Sequence, residues 1–282
     1  MNNEIQPIII TGMHRSGTSL LSRIFESNGV FMGKYKEKNN ESKFFLRINR
    51  WMFSMLGASW DNPKSFKHID NDTRKLILNR INNIILSRYN FYYFGLKSLL
   101  FKKSFYNNPN QWGWKDPRNT FTLDLWLKLF PNAKVVNIER HPLDSSLSLL
   151  RRQEIFKDID MKMKNKFYYP LTNLLSISHS SLISSTLIND IDDCLEITKK
   201  YILESYKNEK NYKKNIISIK YEDLLMNPKE TINNVFNHCN LILDEKNINK
   251  IIQTINSSNL CKYKNKNITY NSNILNELGY DE

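Results

Sequence analysis

The chain has 282 residues, 40% of them hydrophobic, and its 41 basic and 28 acidic side chains give a formal charge of +13. This composition is typical of a globular protein, and no run of about 18 apolar residues is present that would cross a bilayer. The positive charge favours anionic partners, namely nucleic acid, a membrane surface or a polyphosphorylated ligand. A general enrichment in lysine, asparagine and isoleucine explains the charge equally well.

The N-terminus and the cysteines predict the cellular compartment. Residues 1–6 are polar and run directly into an apolar strand, without the basic and apolar regions of a signal peptide. The three cysteines, Cys194, Cys239 and Cys261, are odd in number and widely spaced, a pattern of reduced thiols rather than of disulfides or a metal site. We therefore expect a cytoplasmic protein.

Strands and helices are predicted to alternate along the chain. The β-branched run 7–11 is typical of a buried parallel strand, and the apolar residues from Leu20 to Phe25 then repeat with helical spacing. Further strands are predicted over 134–139 and 215–220, and further helices over 120–130, 142–153 and 190–208. This alternation predicts an α/β fold with a central, mostly parallel sheet covered on both faces.

Two long segments interrupt the alternation, residues 34–110 and residues 154–190. The first is predicted to be helices and loops, with Leu76, Ile77, Ile81, Ile84 and Ile85 on one side of a helix within 70–89. No linker rich in glycine or proline separates either segment, so we expect a single domain over 1–282. Because binding residues concentrate on segments attached to a rigid scaffold, the two insertions are predicted to shape an acceptor site.

The segment Gly12–Ser19 (GMHRSGTS), between the first strand and its helix, is a candidate phosphate-binding loop. Its glycines stand at the first and sixth positions, as in a Walker A loop. Gly12 permits a sharp turn out of the strand, and Gly17 lets backbone N–H groups approach an anion at the helix N-terminus. Thr18 and Ser19 can add hydroxyl hydrogen bonds.

One position argues against a nucleoside triphosphatase. Such a loop needs lysine where this chain has Thr18, because that lysine balances the β- and γ-phosphates beside Mg²⁺. Here the basic residue is Arg15. Transfer of a sulfuryl group is a related reaction that makes weaker demands on the loop, because a sulfuryl group carries less charge than a γ-phosphoryl group. An arginine and backbone donors can then carry the charge on the leaving phosphate without a metal ion. A P-loop kinase that uses ATP is the alternative.

The sequence GMHRSGTSLL resembles the 5′-phosphosulfate loop of sulfotransferases that use 3′-phosphoadenosine 5′-phosphosulfate (PAPS), especially bacterial members and protein-tyrosine sulfotransferases. The resemblance implies a P-loop-like three-layer fold with helical insertions. It also implies that Arg15, Ser16, Gly17, Thr18 and Ser19 bind the phosphosulfate, and that Arg15 stabilises the bridging oxygen as the S–O bond breaks.

A second motif resembles the 3′-phosphate site of the same family. Arg140 ends a predicted strand and Ser148 follows eight residues later on a helix, which is the family spacing, and Arg152 matches the tyrosine-protein branch. Asp144, Ser148 and Arg152 share one helical face at about 3.6 residues per turn. Tyr221, in a YEDL segment, resembles a nucleotide-contacting tyrosine; a purely structural role at the strand–helix junction is equally consistent.

The general base is less well defined by the sequence. An acceptor hydroxyl must lose a proton, so a carboxylate or histidine should lie near the sulfur. Glu41 is preferred because ESKFF resembles a Glu-x-x-Phe-Phe segment of heparan-type sulfotransferases; Glu37 and His14 are the alternatives. Lys115, in a KDPR segment that resembles the bacterial branch, is a candidate to assist transfer. Asp116 and Arg118 of that segment are expected to form a structural ion pair.

Residues 89–106 combine many aromatic side chains with Lys97, Lys102 and Lys103. They could form a platform for a sugar acceptor or a patch that rests on a membrane. We favour core aromatic residues beside solvated lysines.

The sequence as a whole predicts a PAPS-dependent sulfotransferase that needs no metal and acts on a hydroxyl acceptor, with a carbohydrate favoured. The second alternative, after the kinase, is a non-catalytic basic protein that binds nucleic acid. It explains the charge but not the two anchors, and no zinc finger or similar motif accompanies it, so no nucleic-acid partner is expected.

Overall fold

The computed structural model describes residues 6–101, 104–106, 108, 110–164, 184–254, 261–265 and 268–280. Its centre is a sheet of four strands, all parallel, in the order β2-β1-β3-β4. The strands are β1 (Ile8–Thr11), β2 (Gly113–Lys115), β3 (Lys134–Glu139) and β4 (Ile216–Lys220). The predicted α/β class with a parallel sheet is confirmed, and β2 adds the strand that ends at the KDPR segment.

Twelve α-helices are present in the described part of the chain. They are α1 (Thr18–Ser27), α2 (Lys43–Met55), α3 (Asn71–Leu86), α4 (Phe91–Phe94), α5 (Ser98–Phe101), α6 (Asn119–Leu129), α7 (Pro142–Lys164), α8 (Ile191–Asn211), α9 (Tyr221–Met226), α10 (Pro228–His238), α11 (Glu245–Thr254) and α12 (Asn273–Glu277). Side-chain caps fix two of the predicted starts: Asp70 accepts hydrogen bonds from the backbone N–H groups of Asp72 and Thr73, and Asp190 accepts one from Asp193.

Each face of the sheet is covered by its own hydrophobic cluster. Along β1 the side chains alternate, so that Ile9 enters one cluster while Ile8 and Ile10 enter the other. The first cluster includes the aromatic side chains of Phe45, Trp112, Trp114 and Trp126. The second packs α1, α9 and α10 against the sheet. Burial on both faces is the physical reason that β1 is an almost continuous apolar run in the sequence.

The aromatic stretch 89–106 contributes to the first cluster. Tyr93 and Phe105 are buried, and the hydroxyl of Tyr93 lies 2.7 Å from the carbonyl oxygen of Gly113. The interpretation as core residues is therefore confirmed for these two side chains. Tyr89, in contrast, is exposed, and Lys102 and Lys103 lie outside the described residues.

Two predictions at the level of elements need correction. Helix α3 buries Ile77, Ile81 and Ile85 as predicted, but Leu76 faces solvent, because it lies on the opposite side of the helix from those isoleucines. Helix α7 continues to Lys164, well past the predicted end near Gln153.

No helix in the described part of the chain is both long and apolar enough to cross a membrane. Most of the segment 154–190, residues 165–183, lies outside the described residues.

Candidate active site

The loop between β1 and α1 is held open by its own hydrogen bonds and by close packing. The hydroxyl of Ser16 donates to the carbonyl oxygen of Met13 (2.7 Å), and the backbone N–H of Ser16 donates to the same oxygen (3.2 Å). A Cβ atom at Gly12 would lie 2.3 Å from the carbonyl oxygen of Ile138, which explains glycine there. The hydroxyl of Ser16 thus stabilises the turn of the loop.

Gly17 directly precedes α1, and its backbone is in a left-handed conformation with a φ of +102°. A Cβ atom at this position would lie 2.3 Å from the ring of Tyr221, so the loop and the YEDL segment pack directly on each other. Thr18 begins the helix, and the hydroxyl of Ser19 donates to the carbonyl oxygen of Asn39 (2.8 Å). The loop therefore presents the end of α1 toward the cleft.

Arg15 and Arg140 bring the two predicted anchors together. The Nε of Arg15 donates to Oγ of Ser148 (2.9 Å), and Nη1 of Arg140 lies 3.4 Å from the carbonyl oxygen of Arg15. The guanidinium of Arg140 also forms a buried ion pair with Asp144 (3.1 Å) and lies 4.8 Å from the centre of the Tyr221 ring. Burial and the neighbouring Arg140 lower the pKa of Arg15.

Glu41 and Lys115 form a buried ion pair at the end of β2. Nζ of Lys115 lies 3.1 Å from Oε1 of Glu41, and the two side chains are only 1% and 9% exposed. Burial lowers the pKa of Lys115, and the charge of Glu41 opposes that shift. Next to them, Arg118 pairs with the buried Asp116 (3.1 Å), which confirms the predicted structural ion pair.

Arg152 lies between two aromatic rings. Its guanidinium is 4.7 Å from the ring of Trp60 and 5.5 Å from that of Phe156. Burial and then the charge of Arg15 lower the pKa of Arg152 to about 10. His14 packs edge-on against Trp60 (5.0 Å), and burial together with Arg152 lowers the pKa of His14 well below its usual value. His14 is therefore neutral at neutral pH.

These side chains surround one cleft of about 620 Å³ at the carboxyl ends of the strands. Of the predicted site residues, Arg15, Gly17, Thr18, Ser19, Glu41, Lys115, Arg140, Ser148, Arg152 and Tyr221 line it. Ser16 does not line the cleft, and neither does Glu37. Sequence reasoning missed Arg23 and Asn39, which also line it, and Trp60, which supports Arg152. The sequence could have indicated Arg23, because it follows the phosphate-binding loop in the same helix, α1. No local sequence pattern pointed to Trp60.

The cleft is strongly positive. It is lined by six cationic side chains, Arg15, Arg23, Lys115, Arg140, Arg151 and Arg152, against two carboxylates, Glu41 and Asp144. Both carboxylates are already paired, with Lys115 and Arg140. In the described part of the chain, no group of three or more His, Cys, Asp or Glu side chains could hold a metal ion. The cleft is therefore suited to a ligand with several negative charges.

The C-terminal part of the chain packs beside Arg140. The ring of Tyr263 stacks on His141 at 4.1 Å, and the backbone N–H of Tyr263 donates to Oδ1 of Asp144 (3.0 Å). Tyr263 belongs to the short 3₁₀ helix Lys262–Asn265, and Lys266 lies outside the described residues.

Comparisons with known proteins agree with this architecture. The model of the sulfotransferase family matches residues 7–245. The sulfotransferase domain of the curacin biosynthetic pathway superposes with a TM-score of 0.57 at 16% identity, over 99% of each chain. The sulfotransferase domain of the Synechococcus PCC 7002 olefin synthase superposes with a TM-score of 0.52 at 14% identity, over 99% of this chain and 98% of that one. A sequence search of curated proteins found no match.

Proposed function

Because the chain belongs to the sulfotransferase family and is therefore an enzyme that transfers sulfuryl groups, we propose that its donor is PAPS and that its acceptor is a hydroxyl group, with carbohydrate as the favoured class. The observation that carries the proposal is the hydrogen bond from Arg15 to Ser148, together with the contact from Arg140 to the Arg15 carbonyl. These contacts bring the two predicted anion anchors into one cleft, and the positive charge of that cleft complements a bisphosphorylated nucleotide.

Each anchor has a distinct role in the proposal. Arg140 and Ser148 bind the 3′-phosphate, and the loop from Arg15 to Ser19 binds the 5′-phosphosulfate through backbone N–H groups, the Thr18 and Ser19 hydroxyls and the α1 dipole. Ser16 stays a member of this loop in the proposal, and its hydroxyl donates to the Met13 carbonyl oxygen in this structure. Tyr221 contacts the nucleotide beside Gly17, and Arg152, four residues after Ser148 on α7, adds a further cation for the co-substrate.

The transfer step is an in-line displacement at sulfur. The acceptor oxygen forms a bond to sulfur while the bond from sulfur to the 5′-phosphate oxygen breaks, and Arg15 stabilises the negative charge that develops on that leaving oxygen. The acceptor proton passes to a carboxylate of the cleft, for which we propose Glu41. Lys115, 3.1 Å from Glu41, orients that carboxylate and can assist charge stabilisation at the sulfuryl group.

The test is calorimetric binding of adenosine 3′,5′-bisphosphate (PAP) without added metal. Wild type is expected to bind at micromolar concentration. Arg140→Ala is expected to weaken binding by roughly 2 kcal/mol, or about thirtyfold, because a charge-assisted hydrogen bond to a phosphate is lost. Arg88→Ala, at an exposed arginine that does not line the cleft, is the matched control and should bind like wild type.

Two results would contradict the proposal. The first is no PAP binding by wild type, which would remove the nucleotide site. The second is tight binding of ATP with Mg²⁺ in preference to PAP, which would favour a phosphotransferase. With PAP binding established, transfer from PAPS to a panel of carbohydrate and other hydroxyl acceptors would identify the acceptor.

A further inference from the structure

The segment between Asp72 and Asp116 has an unusual charge distribution. Residues 73–114 contain seven lysines and arginines and no aspartate or glutamate. The whole chain has 28 acidic residues, so this segment is much more basic than the average of the molecule. Within it, Arg74 pairs with Asp124 and Lys75 with Asp72, whereas Arg88 and Lys97 are exposed. Exposed cations of this kind are attracted to an anionic surface.

The same segment exposes large apolar side chains. Leu86, Tyr89, Leu96 and Leu99 are 59%, 65%, 61% and 46% exposed. They lie within 14 residues, among the end of α3, the turn Arg88–Asn90, α4 and α5, and each of these elements packs against the next. We call these four side chains the 86–99 patch. Exposed apolar side chains that lie together lower the solubility of a protein unless a partner covers them.

Buried residues between its members hold the 86–99 patch in place. Between its members, Tyr93 is fully buried, and its carbonyl oxygen accepts a hydrogen bond from the backbone N–H of Lys34 (2.7 Å). Ser98 is buried as well, and its hydroxyl donates to the carbonyl oxygen of Gly95 (2.7 Å). The leucines and Tyr89 therefore point outward because the intervening residues are anchored in the core.

We propose that the 86–99 patch binds the surface of an anionic lipid bilayer. Leucines enter the boundary between headgroups and acyl chains, the Tyr89 ring lies at the interface, and Arg88 and Lys97 contact the anionic headgroups. The binding is peripheral, since no described helix could span a bilayer. A nucleic acid would match the charge but leaves the leucines without a partner, and a protein partner would need a matching acidic, apolar surface. This inference does not depend on the proposed donor or acceptor.

The experiment is co-sedimentation of the full chain with vesicles of phosphatidylcholine alone or with one third phosphatidylglycerol. Wild type is expected to sediment with the anionic vesicles only. Leu96→Glu should lower the partition coefficient about tenfold or more, because it removes an inserted side chain and adds a repelled charge. The matched control is Ile242→Glu, the same type of change at a side chain that is 95% exposed near Asp244 and Glu245; it should bind like wild type.

Several outcomes would overturn the proposal. They are no sedimentation with anionic vesicles, equal losses in Leu96→Glu and Ile242→Glu, or wild-type binding by Leu96→Glu. Complete displacement from the vesicles by RNA at low stoichiometry would assign the surface to a polyanion instead. Both positions are exposed, so circular dichroism of the two variants should match wild type and exclude misfolding as the cause.

Discussion

The buried pair of Glu41 and Lys115 shows how single residues shape the cleft. Removing two charges from water is costly, and their mutual attraction offsets the cost only when the geometry is good and both partners are present. The pair meets that condition with a distance of 3.1 Å and little exposure of either side chain. The carboxylate is thereby fixed at the cleft wall, within the segment 34–110 that was predicted to shape the acceptor site.

If Glu41 is the general base, Glu41→Gln should lower the rate of transfer from radiolabelled PAPS by about 10²–10⁴-fold, since the amide cannot accept the acceptor proton. PAP binding should stay close to that of wild type, because Glu41 pairs with Lys115 rather than with an anchor residue. The measurement uses the hydroxyl acceptor found by screening, under saturating PAPS.

Glu37→Gln provides the control for this prediction. Glu37 lies four residues earlier in the same loop, its backbone N–H donates to the carbonyl oxygen of Glu41 (2.9 Å), and its side chain does not line the cleft. Rates for Glu37→Gln should match wild type. Equal rates for the two variants would mean that another group removes the proton, with His14 next to be tested. A thermal shift assay separates catalytic loss from the instability caused by an unpaired Lys115.

The residues of the two proposed anchors lie in one cleft, and this was predictable from sequence because each belongs to a short motif at a strand end. Arg15 lies in a loop with glycines at fixed positions, and Ser148 follows Arg140 at a fixed helical spacing. The stacking of Arg152 on Trp60 was not predictable, since the two lie 92 residues apart and no local period connects them. The side-chain bond between Ser16 and Met13 also depends on the loop conformation, which sequence alone does not fix.

At the scale of elements, helix α7 connects the sheet, the cleft and the C-terminal segment. Asp144, Ser148 and Arg152 all face the cleft, as their spacing predicted. Leu143 is buried against α8 and α12, and Leu147 both packs against that cluster and lines the cleft. Asp144 has two partners, since it pairs with Arg140 and accepts the backbone N–H of Tyr263. It is a positioning residue for Arg140.

Asp144→Asn is therefore expected to weaken PAP binding about tenfold, because Arg140 loses its buried ionic partner and its fixed orientation. The matched control lies on the same helix. Asp158 pairs with Lys162 at the same i, i+4 spacing (2.6 Å), but the two side chains are 60% and 74% exposed. Asp158→Asn should leave the dissociation constant within a factor of two of wild type, as exposed pairs contribute little. Equal effects of both variants on calorimetric binding would refute the positioning role.

The boundaries of elements followed from sequence where apolar periodicity and caps coincide. Strand β3 spans the predicted residues 134–139, and α3 begins after the Asp70 cap. The C-terminal half of α7 was missed because its exposed residues, such as Ile155 and Met161, break the amphipathic pattern. The three-residue strand β2 was not among the predicted strands, since so short a run carries little periodic signal.

At the scale of the molecule, both hydrophobic clusters share the same sheet. Ile9 contributes to one and Ile8 to the other, so neither layer can be lost without exposing strand β1. We therefore predict that the chain unfolds in urea as one cooperative unit, which is the test of the single domain over 1–282. Proteins of this size often form intermediates, so the prediction is a demanding one.

The hydrophobic clusters on the two faces of the sheet contain different side chains that report on unfolding, tryptophans in the first cluster and a cysteine in the second. All five tryptophans lie between residues 51 and 126, and three of them, Trp112, Trp114 and Trp126, belong to the first cluster. Cys239 belongs to the second cluster, where burial raises its thiol pKa to about 12. Because the thiolate is the reactive form, Cys239 should resist labelling until its layer opens. Cys261 is more exposed and supplies the background reaction.

Tryptophan fluorescence and Cys239 labelling should therefore give the same urea midpoint. PAP at about 100 times its dissociation constant should shift both by the same amount, equivalent to about 2.7 kcal/mol, since it binds only the folded chain. Labelling of Cys239 at urea concentrations where fluorescence is still native would show that the two layers unfold separately and would refute the single domain. Coincident midpoints that PAP does not move would instead count against the nucleotide site while leaving the single domain intact.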